Sequence, residues 1–321
     1  MARYVARRLL LYIPTLFAAS VFIFAIMRIL PGDVALAILG SEDDGNEAIT
    51  RQQIEELRAE LGLTEPIYVQ YGRWAWSLIN GEFGGRSLWD REALPEIVAR
   101  RLPVTLQLTL YTVLITWIVS LPLGILAAIY QNRPIDYFIR AISIAGHAVP
   151  NFWVALMLLL ALLWWFAWSP PIFYANFWED PQAHLQQVIW PALILAWAFS
   201  STVIRVTRSS MLEVLRQDYI RTARAKGLVE HSVVLRHALR NSLLPVVTLG
   251  GLEVGALLGG TVILEGIFGL PGIGQGIVLA ATTRDYPIIQ TLVMLLVTTM
   301  LTLNLAVDLV YSFVDPRIRY S

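Results

Sequence analysis

The chain has 321 residues, of which 56% are hydrophobic and 15% are charged, and its mean hydropathy is +0.60. A chain this apolar does not fold around a single water-soluble core, so the composition predicts an integral membrane protein. The absence of cysteine excludes disulfides, thiolate catalysis and cysteine-based metal sites. Basic and acidic residues balance at 24 each, so the information lies in where the charges fall.

Six stretches are long and apolar enough to span a bilayer, because about 20 apolar residues cross about 30 Å of hydrocarbon. The first has no small-residue cleavage site after a short apolar core, so we expect a retained span and not a signal peptide. The six predicted spans are Leu9 to Leu30, Val104 to Tyr130, Ala141 to Trp168, Val188 to Val206, Leu244 to Leu264 and Ile288 to Phe313.

The arginine distribution predicts the orientation of these spans. With the N-terminus inside, the four inner segments hold three, two, eight and two basic residues, which is fifteen of the 24. Seven of the others lie between Arg51 and Arg101, in an outer segment long enough to be translocated largely regardless of charge. We therefore expect a multi-pass protein with both termini in the cytoplasm.

The outer segment, residues 31–103, has its own helical patterns. Thr50 and Gln53 form a capping box, and Gly62 ends this helix before Pro66. Three apolar residues fall on one face of this helix: Ile54, Leu57 and Leu61.

A second amphipathic helix is predicted from Pro66 to Asn80. Its Trp74 and Trp76 suit the headgroup level, which indole rings favour. Packing against the outer ends of the spans is favoured over contact with a ligand, because aromatic stripes are most often packed.

Nucleotide chemistry by this chain is not indicated. A P-loop needs Gly-Lys followed by Ser or Thr, whereas the single lysine, Lys226, precedes Gly227. The histidines have no metal-binding helical spacing, and no Gly-x-Ser-x-Gly elbow occurs. The glycine-rich segment from Pro271 to Gly276 follows no strand, so it is interpreted as a turn.

Between Met211 and Pro245 the spans are interrupted by a strongly basic stretch in which short helical patterns meet at Gly227. A simple channel does not need such a loop. The loop suits a membrane protein whose motion is driven by another protein. The alternative is an ion-coupled secondary transporter or channel, although no clear internal repeat is visible. An intramembrane hydrolase is a more distant alternative, because no nucleophile and base occur at suggestive spacing.

The basic stretch resembles the EAA loop of ABC-importer permeases, whose pattern is Glu-Ala-Ala, three residues, Gly, then nine residues to Ile-x-Leu-Pro. Arg221-Thr222-Ala223 stands at the triplet, Gly227 at the glycine and His237-Ala238-Leu239-Arg240 at the end. Ala223, Gly227 and Leu239 match the general pattern, whereas the acid, the isoleucine and the proline do not.

The particular form of the loop is more closely similar to the dipeptide, oligopeptide and nickel importer permeases. It runs from Tyr219 to Leu228 and continues with Arg236 to Asn241. Leu30-Pro31-Gly32-Asp33 and the long outer segment resemble the B-type subunit of these importers. Further matching segments are Glu60 to Leu63, Glu265 to Gly274, Arg284 to Pro287 and Asp315 to Arg319.

The resemblance implies an all-α membrane protein with six transmembrane helices of the type I ABC-importer permease fold. Its expected divisions are residues 1–30 with the first span, the external segment 31–103, an ABC transmembrane domain at 104–313 with its coupling loop at about 211–243, and a tail at 314–321. The implied coupling residues are Arg221, Thr222, Ala223, Arg224, Ala225, Lys226, Gly227 and Leu228.

The same resemblance implies the partners. They are a second homologous permease of the C-type, two cytoplasmic ATPase subunits that use ATP and magnesium, and an external solute-binding protein. The chain itself is expected to bind no cofactor, metal or nucleic acid, and to lie in the inner membrane of a prokaryote. Relatives carry dipeptides, oligopeptides, nickel chelates, glutathione or sugars, so the solute is left open.

Charged residues within the spans are further candidates, because a charge at bilayer depth is costly and usually faces protein or water. Glu253 is the most central, and it either lines the solute path or hydrogen-bonds to a neighbouring span in its neutral form. Arg28 and Asp308 lie near span ends, where we expect snorkelling or structural pairing.

Overall fold

A computed structural model describes residues 2–29, 51–60 and 62–314 of the chain. Within these ranges the structure is helical without named strands, and the one β-bridge joins Arg86 and Ala93. The backbone forms a π-helical turn at Val233–Ala238. The helices are α1 (Ala2–Ile29), α2 (Arg51–Glu60), α3 (Ile67–Ile79), α4 (Leu94–Ile129), α5 (Pro134–Ala148), α6 (Asn151–Phe166), α7 (Pro181–Leu215), α8 (Asp218–Ala225), α9 (Glu230–Phe268), α10 (Ile273–Thr283) and α11 (Tyr286–Val314).

Five helices of the described chain are long and apolar enough to cross a membrane, and the number is six if the bent pair α5 and α6 forms one span. The five are α1, α4, α7, α9 and α11. Each of the six predicted spans therefore falls on one of these helices or on the bent pair, which confirms the all-helical membrane class.

The third predicted span, Ala141 to Trp168, is not one straight helix. The chain bends by 104° between α5 and α6. Pro150 explains the break, because a proline disfavours helical backbone at the residue before it, and Val149 is extended at φ −89° and ψ 129°. Pro150 then stands at the N-cap of α6. The backbone N–H at this position takes no part in the helix, so its absence in proline costs no helical hydrogen bond.

The fourth span is longer than its apolar stretch indicates. Helix α7 begins at Pro181, seven residues before the predicted Val188. Pro181 suits the first turn of a helix, and the Asp180 carboxylate accepts hydrogen bonds from the backbone N–H groups of Gln182 and Ala183 at 3.1 and 3.0 Å. Capping therefore extends the helix beyond the residues that hydropathy identifies.

The structure forms two compact units, each with its own core. Unit 1 holds Thr105–Leu270 with the described residues of Met1–Leu9 and Met300–Ser321. In this unit α7 packs along both α5 and α9. Gly251 of α9 lies directly against Val307, and an added Cβ there would overlap its side chain. This glycine therefore serves close helix approach, the role expected of small residues in membrane helices.

A buried ion pair joins α5 to α7 in unit 1. The Arg208 guanidinium donates from Nε and Nη2 to the two carboxylate oxygens of Asp136, each at 2.7 Å. The side chain of Asp136 has no exposed surface, and its Oδ2 also accepts from the backbone N–H of Asn132 at 2.9 Å. Bidentate pairing satisfies both charges in a place where either alone would be costly.

The two outlying charges also have partners in their own units. In unit 1 the Arg8 guanidinium contacts the Asp308 carboxylate at 2.8 Å, which confirms the structural pairing expected for Asp308. In unit 2 the Arg28 guanidinium lies 5.1 Å from the centre of the Phe24 ring, a cation–π arrangement.

Unit 2 comprises Pro271–Thr299 and the described residues of Leu10–Val104. Trp74 of α3 packs with Ile23, Phe24 and Met294, so packing is confirmed for this indole, while Trp76 is 65% exposed. Gly62 adopts φ +67° in the turn that ends α2, as the sequence predicts. Four features from the sequence lie outside the described residues: the Thr50 cap, Leu61, the Leu30 to Asp33 motif and the Asp315 to Arg319 segment.

The glycine-rich segment at 271–276 is a helix start, which corrects the interpretation of the whole segment as a turn. Gly272 is the N-cap, and α10 begins at Ile273. Gly276 lies inside this helix, where an added Cβ would come within 2.7 Å of Leu292. Gly276 therefore permits close helix packing in unit 2. The glycine and proline content of the segment, which predicted a turn, did not indicate this packing role.

Candidate functional site

The segment between α7 and α9 is a short helix with one buried face. Asp218 stands in the first turn of α8 and Arg224 in its last turn, so each charge opposes the helix dipole. Ile220 and Ala223 are three residues apart and point to the same side, where both are buried. The opposite face of α8 is exposed.

A hydrophobic cluster in unit 1 holds α8 in place. Ile220 and Ala223 pack against Met211 from the end of α7 and against Val233 and Val234 from the π-helical turn. Four of these five side chains are at most 4% exposed, and Ala223 is 8% exposed. Because its apolar face has a core of this kind, the segment is a fixed element of the fold.

Gly227 ends α8 in a left-handed backbone conformation, with φ +76°. Its N–H donates to the Arg224 carbonyl at 2.9 Å, and the Leu228 N–H donates to the Ala223 carbonyl at 3.3 Å. This pair of bonds is a Schellman motif, in which glycine avoids the strain that a Cβ brings at positive φ. An added Cβ would meet nothing within 4 Å, so the backbone angle and not crowding favours glycine here.

Two of the basic residues of the segment bind acidic residues of the same chain. Arg224 donates from Nη2 and Nε to the Glu230 carboxylate at 2.7 and 3.1 Å. This hydrogen bonding raises the pKa of the Arg224 guanidinium above its ordinary value. Arg221 contacts Asp218 more loosely, at 3.4 Å. Lys226 forms no ion pair with any residue that the structure describes.

The segment also exposes apolar side chains next to Gly227. Leu228 is 42% exposed and Val229 is 74% exposed, and Tyr219 on α8 is 43% exposed. The Tyr219 hydroxyl accepts a 2.8 Å hydrogen bond from the Asn241 amide of α9, which fixes its ring. We call the exposed residues Tyr219, Arg221, Thr222, Arg224, Ala225, Lys226, Gly227, Leu228 and Val229 the α8 surface.

The structure brings seven of the eight candidate coupling residues together on this surface. The exception is Ala223, which is buried in the cluster and positions the helix without being available to a partner. Sequence reasoning missed Val229 as an exposed contact and Glu230 as the partner of Arg224. Two apolar residues in succession after a glycine in a basic loop were the available signal for the first.

Glu253 lies in the middle of α9, half-buried, beside a small void lined by Thr116, Trp117 and Phe199. Its carboxyl group forms no hydrogen bond or ion pair with a described residue. Among the described residues, no neighbouring span provides a hydrogen-bond partner for the neutral carboxyl group of Glu253, which was the alternative role. The Thr116 hydroxyl beside the same void is likewise buried without a partner in the described part of the chain.

The fold and the α8 surface together describe a multi-span membrane protein with a fixed, exposed face that is basic and partly apolar. The family model "Binding-protein-dependent transport system inner membrane component" matches residues 120–320, and its N-terminal companion model matches residues 1–109. The chain belongs to this family of membrane components of binding-protein-dependent transport systems.

Relatives of known designation cover the whole chain. It is 38% identical over 322 residues to the oligopeptide transport system permease protein AppB of Bacillus subtilis, with 100% of each chain covered. It is 39% identical over 320 residues to the glutathione transport system permease protein GsiC of Escherichia coli strain K12, again with 100% of each covered.

A solved structure shares the fold. A chain from inward-facing conformations of the MetNI methionine ABC transporter matches 68% of this chain and 96% of its own length, with a TM-score of 0.53 and 19% identity. At this identity the likeness shows the fold alone. The family and the full-length relatives identify the chain as a permease subunit of an ABC importer, a class that works with ATPase and solute-binding partners.

Proposed function

We propose that this chain forms half of a solute path, with a second homologous permease of the C-type as the other half. Two separate ATPase subunits bind the cytoplasmic side of the permease pair and hydrolyse ATP with magnesium. This chain itself binds no cofactor. An external binding protein delivers the solute. Both termini lie in the cytoplasm of a prokaryotic cell with the protein in the inner membrane, an orientation that the arginine distribution supports.

The observation that carries this proposal is the α8 surface. A loop between two long apolar helices has its own buried cluster, yet it exposes Leu228, Val229 and the cation of Lys226. Exposed apolar residues beside charges are characteristic of a protein interface. The site suits an ATPase whose contact face is acidic at its rim and apolar at its centre.

The solute class is proposed from the relatives. Those named above carry oligopeptides and glutathione, both of which contain peptide bonds and charged termini. We propose a small peptide as the solute, with Glu253 on the path. A carboxylate at mid-span without a partner in the described chain suits an ammonium group in transit.

Reconstitution into proteoliposomes tests the function. We expect peptide uptake only when this chain, the second permease, the ATPases and the binding protein are all present and when ATP and magnesium are supplied on the side of the membrane where the ATPases lie. The purified chain alone should show no uptake under a proton or sodium gradient. Gradient-driven uptake by the chain alone would contradict the proposal, because an importer permease has no means of using such a gradient.

A further inference from the structure

The loop between α6 and α7, residues 167–180, exposes large apolar side chains. Ile172 is 90% exposed, Phe173 is 86% exposed and Trp178 is 87% exposed. No charged residue occurs from 167 to 178, and only Glu179 and Asp180 follow before α7 begins. Exposed apolar residues that lie together in this way mark an interaction surface, and the function derived above does not use this loop.

The exposed side chains of the loop continue an apolar surface on α6. Trp164, Trp165 and Phe166, at the end of this helix, are all strongly exposed. Because α5 and α6 together have the length and hydropathy of one span, the exposed side of α6 is a surface that lipid covers. The loop follows this surface directly in the chain, and tryptophan is enriched where a membrane meets water. Continuity with α6 therefore points to lipid as the neighbour of the loop.

The backbone of the loop is hydrogen-bonded by two polar side chains of α7. Gln187 Nε2 donates to the Phe173 carbonyl, and Gln187 Oε1 accepts from the Ala175 N–H at 3.1 Å. The Ala175 carbonyl accepts from His184 Nδ1 at 3.0 Å. The side chains of His184 and Gln187 are both buried. Three backbone groups of the loop thus have partners inside the protein.

These bonds have a physical reason if the loop lies where water is scarce. In water, an irregular loop has its carbonyl and N–H groups hydrated, and it does not need buried partners for them. At the membrane, irregular backbone persists only where the protein satisfies its polar groups. The one tyrosine of the loop follows the same rule, because the Tyr174 hydroxyl donates to the Gln107 amide oxygen of α4 at 2.9 Å.

We propose that the α6–α7 loop is embedded in the outer leaflet of the membrane. Ile172, Phe173 and Trp178 insert among the phospholipids at the boundary of headgroups and acyl chains, and His184 and Gln187 replace water at the loop backbone. Lipid is favoured over a binding protein that docks and leaves, because transient interfaces are only about as apolar as the rest of a protein surface. The choice of the outer leaflet rests on the proposed orientation, whereas the embedding does not.

Nitroxide labels on single cysteines test this placement, because the chain has no cysteine of its own. The labels replace Phe173 or Trp178 in the assembled importer, with cysteine-free partners, in vesicles of phosphatidylethanolamine and phosphatidylglycerol. Power-saturation measurements give the collision rates with oxygen, which concentrates in hydrocarbon, and with a water-soluble nickel chelate. We expect collisions with the chelate to be several-fold rarer at both labels than at Glu55→Cys, an exposed position of the polar helix α2. Trp164→Cys on α6 is the lipid-facing reference.

The two collision rates distinguish the neighbours of the loop. Frequent collisions with the nickel chelate at Phe173→Cys and Trp178→Cys would place the loop in water and overturn the proposal. Rare collisions with both reagents would show that another subunit covers the loop, which also overturns it, as would shielding that requires added binding protein. Peptide uptake by the same vesicles tests the proposed function separately, so the two failures are distinguishable.

A second variant tests the role of Gln187. Gln187→Met has a side chain of similar size but cannot bond to the Phe173 carbonyl or the Ala175 N–H. We expect several-fold more collisions between the nickel chelate and the label at Phe173, because the freed backbone groups then require water. Gln186→Met, at an exposed position next to it, is the matched control and should leave the label unchanged. An equally shielded label in the Gln187→Met variant would contradict the replacement of water by this side chain.

Discussion

Gly227→Asp is expected to abolish solute-stimulated ATP hydrolysis by the assembled importer while the chain still folds and inserts. The space around Gly227 is open, so the new side chain meets no atom within 4 Å of its Cβ. Aspartate also tolerates the left-handed region better than most residues, so we expect a folding cost of about 1 kcal/mol. The carboxylate instead falls between Lys226 and Leu228 and puts a negative charge on the otherwise basic α8 surface.

Gly227→Asn is the matched control for this prediction. Asparagine has almost the same shape and the same tolerance of positive φ, but it adds no charge. We expect it to retain most of the stimulated activity, measured as phosphate release from the reconstituted complex with and without solute-loaded binding protein. Equal stimulation in the aspartate variant and the wild type would show that the α8 surface has no part in coupling.

Arg208→Met is expected to produce the largest loss of stability among single substitutions in unit 1. It removes the partner of Asp136, whose side chain has no exposed surface, and leaves a buried carboxylate with only the Asn132 N–H. Breaking a buried pair from one side costs about 3–5 kcal/mol. The expected result is a large decrease in the free energy of unfolding, measured by denaturing-detergent titration of the purified chain.

Two comparisons test the physical reason for this loss. Arg221→Met removes the exposed, 3.4 Å contact with Asp218, and exposed pairs contribute at most about 1 kcal/mol. The double variant Asp136→Leu, Arg208→Met removes both charges and should recover most of the stability, because no unpaired group is left. If the double variant is as unstable as Arg208→Met, the loss comes from packing and not from the carboxylate.

Hydropathy predicted the spans because a bilayer requires about 20 apolar residues, a constraint that acts on each segment separately. It did not predict the 104° bend between α5 and α6, since mean hydropathy carries no information about the backbone geometry at Val149 and Pro150. Nor did it predict where α7 begins, which the Asp180 cap decides. Local backbone chemistry is invisible to an average over a window.

The candidate site shows the same division. Gly227 as a change of direction followed from the sequence, because its spacing in the loop and its conformational freedom are both local properties. The partner of Arg224 did not follow, because Glu230 approaches only after the chain turns at Gly227. Burial of Ala223 depends on the cluster with Met211 and Val233, which the fold assembles from distant parts of the sequence.

Photo-crosslinking from the α8 surface tests the central claim most directly. A benzoylphenylalanine at Val229, which is 74% exposed, should form an adduct with a P-loop ATPase subunit in membranes that contain the assembled importer. The same probe at Trp164, which is 86% exposed on α6, should form none. An assembled importer in which Val229 gives no ATPase adduct, or in which both positions give the same adduct, would contradict the assignment of the α8 surface as the coupling site.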